Sequence, residues 1–231
     1  ASSDPQPDWI NLNKVAIPQA DEQQRLLANL ILSMESDKNL LPRFWYFPHG
    51  YEAVVVMTGD DHASLYGGSY AVRRFNQYLA ASPPGASVDD WTAPRCTAYI
   101  FISPTPSLTN NAQVVYYQTN GFEINVHLTT DCTDYTPTQM ATYFTNQLNQ
   151  LKAKYPSVAA PVTHRIHCIA WSGYTAPAGV SRQFGIRLET SYYYWPPGWV
   201  NDRPGFMTGS GMPMRFATTS GNVVDVYQAT T

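Results

Sequence analysis

Short apolar runs that do not alternate with polar residues, separated by stretches of helical periodicity, narrow the folds open to this chain. Val54-Val55-Val56-Met57, Ala98-Tyr99-Ile100-Phe101-Ile102 and Phe122–Leu128 fit strands covered on both faces, the pattern of a parallel sheet. Parallel strands need long crossover connections, and the intervening segments supply them. Val72, Phe75 and Leu79 share one helical face, and a helical stretch follows at Ala112–Tyr117. The clearest helix is expected over Pro137–Lys154, with Thr136 as N-cap, Pro137 in the first turn and Gln139 closing a capping box. Met140, Phe144, Leu148 and Leu151 give that helix its buried face. Further strands are expected at Arg165–Trp171, Ile186–Thr190 and Val223–Tyr227. The fold class is therefore α/β, with a parallel sheet expected to close into a distorted (β/α) barrel. Periodicity yields only about six strands. An eight-stranded barrel needs more, so closure is expected to be incomplete at the C-terminus.

Upstream, a polar, proline-containing lead precedes a helix expected over Asp21–Met34, with Leu26, Leu27, Leu30, Ile31 and Met34 on one face. Residues 1–41 accordingly read as an N-terminal extension with a helix, and residues 42–231 as the barrel. A chain of 231 residues suits one domain with such an appendage. Its net charge of −3 provides no basic footprint, which argues against nucleic acid as a partner. No apolar stretch reaches the roughly 20 residues of a membrane-spanning helix. The 16 tyrosines, 6 tryptophans and 18 prolines, beside only 14 lysines and arginines, resemble a secreted or extracellular carbohydrate-active protein.

The chemistry is expected where the apolar run Val54–Met57 gives way to Thr58-Gly59-Asp60-Asp61-His62. An α/β fold places its reactive groups beyond the carboxyl ends of its strands. Adjacent carboxylates there repel unless a cation or an arginine neutralises them; the plainer reading is a strand-end turn. His127 closes its own strand and would share the rim with that pair, making a partial metal site of oxygen and nitrogen ligands. The plainer reading is a histidine bonded to a loop carbonyl. Asp131 could add a ligand from the following turn, and His62 and His167 are spare candidates. Arg165 could neutralise Asp60 or form a structural ion pair. Cys132 and Cys168 fall where a disulfide would tie two loops together, leaving Cys96 free. The run from Tyr192 to Trp199, with Tyr194 and Trp195 at its centre, offers flat aromatic surfaces for sugar rings, or else packs as a loop. Gly209-Ser210-Gly211 lacks the spacing of a nucleophile elbow, so a serine hydrolase is poorly supported.

With these residues in hand, the chain resembles the polysaccharide deacetylase (NodB homology) family, in its divergent bacterial T-G-D-D-H form. Thr58-Gly59-Asp60-Asp61-His62 is similar to the family's first motif, Gly121–His127 to its second, and Arg165–Trp171 to its third. The resemblance implies a metal-dependent hydrolase that removes acetyl groups from a carbohydrate. It implies Asp60 as catalytic base, Arg165 as its partner, and Asp61 and His127, joined by Asp131, as ligands of a divalent metal, zinc. Trp171, Tyr194 and Trp195 are the substrate-binding aromatics expected on this reading. The chain departs from the family where Asp131 replaces a histidine, His167 replaces a proline, and no late Leu-x-His motif occurs. Those departures support the alternative of a catalytically inactive deacetylase-like module for glycan binding or extracellular assembly, part of a longer chain. A glycosidase pairing Asp60 with Glu123 or Glu189 is a third reading.

Overall fold

The computed structural model describes residues 55–62, 69–102, 107–191 and 214–229, with scattered positions of a helix between 23 and 34. Its strands are β1 (Asp60–Asp61), β2 (Thr97–Ile100), β3 (Glu123–Leu128), β4 (Thr163–Ile166), β5 (Leu188–Glu189), β6 (Met214–Ala217) and β7 (Val223–Gln228). The helices are α1 (Tyr70–Ala81), α2 (Asn111–Thr119), α3 (Pro137–Lys154) and α4 (Ala176–Gln183). Together the strands form one seven-stranded sheet in the order β1-β2-β3-β4-β5-β7-β6. All neighbours are parallel except β6 and β7. From β1 to β5 each strand is laid beside its predecessor, without the reversal of order that marks a doubly wound sheet. Among the described residues the sheet is open, with β1 and β6 at its edges. No described helix is long and apolar enough to cross a membrane.

Strand alternation gives the sheet two unlike faces. On the helix face, Ala98, Ile100, Ile124 and Val126 pack against Phe75 of α1, Val114 and Tyr117 of α2, and Leu151 of α3. Leu128, Ile166 and Val226 continue that face beneath Met140 and Phe144 of α3 and Ala178 of α4. The long helix α3 thus contributes to both clusters. Its start carries the expected capping box, with the Gln139 amide donating to Thr136 Oγ1 and the Gln139 side chain accepting from the Thr136 amide.

The opposite face is polar. Glu123 Oε2 accepts from Thr97 Oγ1 at 3.0 Å and Thr163 Oγ1 at 2.6 Å, while Oε1 accepts from the Val162 and Thr163 amides. One carboxylate therefore clamps β2, β3 and β4 near their amino ends. Tyr99 reaches Thr163 Oγ1 through its hydroxyl at 2.8 Å, and the Asn125 side chain donates to the Thr163 carbonyl.

Several elements differ from the sequence expectation. The expected strand at Val54–Met57 lies one step early: the ladder is formed by the two aspartates themselves, and Val55 is 75% exposed. The segment still runs beside β2, since Thr97 N–H donates to the Met57 carbonyl and Tyr99 N–H to that of Gly59. The strand expected to reach Trp171 stops at Ile166, where a short 3₁₀ turn, His167–Ile169, takes over. The described positions of the helix before residue 35 are helical, with Leu26, Leu27, Leu30, Ile31 and Met34 all exposed.

Candidate metal centre

Three parallel strands deliver side chains to one corner of the polar face. Asp60 projects from β1 and Arg165 from β4, His127 stands in β3, and His62 and His167 follow directly on β1 and β4. The register pairs His127 with Arg165. The His127 Nδ1 then lies 3.0 Å from the Arg165 carbonyl oxygen. A carbonyl only accepts, so Nδ1 carries the proton and the Nε2 lone pair faces the corner. Metal-binding histidines are oriented in this way by a partner on their other ring nitrogen.

That Nε2 stands 3.2 Å from Nδ1 of His167. His62 completes the group, its ring centroid 5.2 Å from that of His127 and 4.9 Å from that of His167. One nitrogen from each of the three rings falls within 4.8 Å of the other two. Nitrogens bound to zinc at about 2.0–2.1 Å in tetrahedral geometry are separated by about 3.3 Å. The His127–His167 pair already has that spacing, and a nitrogen of His62 lies within 4.8 Å of both. The cluster could therefore hold a metal ion.

The electrostatics suit the same role. Burial holds the His127 imidazole well below its ordinary pKa, aided by the neighbouring histidines and opposed by its bond to the Arg165 carbonyl. His167 is lowered by burial and by His62, against the nearby charges of Asp60 and Asp131. Neutral imidazole is the ligating form. Phe101, at the end of β2, packs its ring 5.3 Å from that of His62 and 5.1 Å from that of His167, lining the corner with apolar surface.

Asp60 flanks the imidazoles. Its Oδ2 lies 3.9 Å from His127 Nε2 and its Oδ1 lies 3.4 Å from Arg165 Nε. Oδ1 and Arg165 Nε are both buried without a completed hydrogen bond, and face each other as an ion pair.

Asp61 lies elsewhere. Successive strand residues point to opposite faces, and its fully buried carboxylate turns to the helix side. There Oδ2 accepts from the Ala71 amide at 2.7 Å and from Ser69 Oγ at 3.0 Å, at the start of α1. A carboxylate is favoured there by the helix dipole and the unpaired amides. Asp131 sits exposed in the turn after β3 with φ 54°, outside the three-imidazole group although its charge is felt by His167. Trp171 is 1% exposed, stacked on Phe216 in the core with its Nε1 donating to the Tyr174 carbonyl. Tyr194 and Trp195 lie outside the described residues. Cys132 and Cys168 are joined in a disulfide, and Cys96 is free and buried. Glu123 is engaged in its strand clamp, and Glu189 is buried on the helix face against His164, Ser181 and Ser191.

The sequence reading held His62 and His167 only in reserve, although a signal for both was available. Positions two apart on a strand share a face, which groups His62 with Asp60 and His167 with Arg165, and separates Asp61 from both pairs. Comparison with protein-family models, curated proteins and solved structures finds no match for this chain.

Proposed function

We propose that this chain is a metal-dependent hydrolase that removes acetyl groups from a carbohydrate. On this reading His62, His127 and His167 hold a divalent cation, zinc, and Asp60 is the general base. The observation that carries it is the convergence of three imidazoles beside a carboxylate at the carboxyl ends of neighbouring parallel strands. The acetyl and carbohydrate specificity draws its support from the motif resemblance at Thr58–His62. The one-directional, parallel strand order from β1 to β5 is compatible with an α/β barrel.

A bound zinc ion would polarise the acetyl carbonyl and acidify the attacking water. The chain's own residues supply the rest. The Arg165 guanidinium fixes the Asp60 carboxylate from one side, so that Oδ2 faces the imidazoles. From there Asp60 takes the proton that water loses as it attacks. His127, anchored through Nδ1 to the β4 backbone, keeps its lone pair aimed at the corner without rearrangement. Phe101 packs against the rings of His62 and His167 and gives the corner an apolar wall. A secreted setting suits the disulfide.

The test is metal analysis paired with acetate release from N- and O-acetylated saccharides. One equivalent of zinc and measurable acetate are expected, both lost in His127→Ala. Asp60→Asn should abolish turnover and leave the metal in place. A protein that binds no divalent ion contradicts the proposal.

A further inference from the structure

Cys132 Sγ, Cys168 Sγ and one nitrogen of His167 lie within 4.8 Å of one another. This second set of ligand atoms shares His167 with the imidazole cluster. In the structure the two sulfurs are bonded to each other. The backbone beside them is held in an unusual state on both sides of that bond. Asp131 and Cys132 have φ of 54° and 57°, and Cys168 and Ile169 have φ of 59° and 54°. Side chains other than glycine resist this left-handed region. Among the described residues other than glycine only Trp91 shares it, so four of five such residues cluster at one cross-link.

We propose that reduction of the Cys132–Cys168 bond opens a second metal site, in which the two thiolates and His167 bind a thiophilic divalent cation such as zinc. The proposal rests on the reading of His167 as a ligand of the imidazole site, since His167 is what the two sites would share. Two thiolates with one imidazole are a familiar zinc donor set that leaves a fourth position open.

The geometry allows the exchange. Bonded sulfurs are about 2.0 Å apart, whereas thiolates on zinc at about 2.3 Å stand about 3.8 Å apart in tetrahedral geometry. The cysteine Cα atoms are 5.4 Å apart, close enough for both sulfurs to reach one ion after parting. Relaxation of the four left-handed residues provides the slack. Because Cys168 follows His167 directly, that movement turns the imidazole with it. A dithiol reductant supplies the two electrons and two protons. The sulfur–sulfur bond breaks, both cysteines become thiols, and the reductant closes its own disulfide. Cation binding then releases the two thiol protons.

Cobalt(II) is the probe. The oxidised protein and a sample reduced by a water-soluble phosphine, then desalted without oxygen, are each titrated with it. The reduced sample is expected to develop thiolate-to-cobalt charge-transfer absorption that the oxidised sample lacks. That absorption should persist in His127→Ala and vanish in the Cys132→Ser/Cys168→Ser double variant. His167→Ala should weaken cobalt binding by the reduced protein at least about tenfold, since losing a ligand costs no less than losing its outer-shell partner. Absence of the band, its persistence in the double cysteine variant, or loss of the far-ultraviolet circular dichroism on reduction would each overturn the proposal. Cobalt binding by the oxidised protein, and its loss in His127→Ala, tests the imidazole site separately.

Discussion

Asp60 and Asp61 are neighbours in sequence with side chains on opposite faces of the sheet, and a pair of substitutions separates them. Asp61→Ala strips the acceptor from the Ala71 amide and Ser69 Oγ, both at the closed start of α1. Leaving buried donors unpaired costs about 1–3 kcal/mol, so a lowered urea midpoint is expected with metal content unchanged. On the proposed function, Asp60→Asn should show the reverse pattern, a stable protein without turnover. A second expectation concerns His127, whose folded pKa is depressed below the ordinary 6.5 by burial. Between those two values the unfolded chain binds a proton that the folded chain refuses. The contribution to stability of the metal-free protein is therefore complete above pH 6.5 and lost as the pH falls toward the folded value. Urea titrations across that range should show the slope, and His127→Gln should flatten it. The residue types of this corner were legible in the sequence. Their sidedness was not, because placing both aspartates beyond the strand end concealed that the ladder runs through them.

Among the elements, α1 and α3 were legible because apolar residues recur at helical spacing and α3 opens on its own cap. Thr136→Ala removes that cap and should cost about 1 kcal/mol, read as a lowered melting temperature. It should leave metal binding intact, since α3 packs on the helix face. Helix α4 escaped detection because its eight residues include Pro177 and Gly179, which mask a weak apolar repeat. Strand β6 is four residues long and, among the described residues, pairs only with β7, so no period could announce it. The continuation of β4 to Trp171 was overestimated for a different reason. Cys168 and Ile169 adopt left-handed backbone where their own residue types favour none, and the disulfide partner lies 36 residues away. Such a constraint is invisible to any local window.

For the whole molecule, the sequence pattern reported strand–helix alternation and parallel pairing, and the single sheet with its ordered progression agrees with that coarse reading. What it could not report is the contrast between faces. The apolar runs predict strands covered on both faces, yet Glu123, Asn125 and Tyr99 form one connected network on the side away from the helices. A cation bound at the end of that face stabilises only the folded state, by about 2.7 kcal/mol at a free concentration 100 times its Kd. A chelator should accordingly lower the melting temperature of the metal-loaded protein. The same chelator should leave His127→Ala unmoved; equal shifts in both would place the ion somewhere other than the imidazoles.

The Glu123 clamp bears on how such an ion would be captured. Fastened at their amino ends by Glu123 and laddered to one another up to their carboxyl ends, β2, β3 and β4 are held at both ends, so the tips that carry His127 and Arg165 keep a fixed separation. An arriving cation would find the imidazoles of His127 and His167 already set beside each other, and its attraction would go into drawing in His62 instead of gathering the strands.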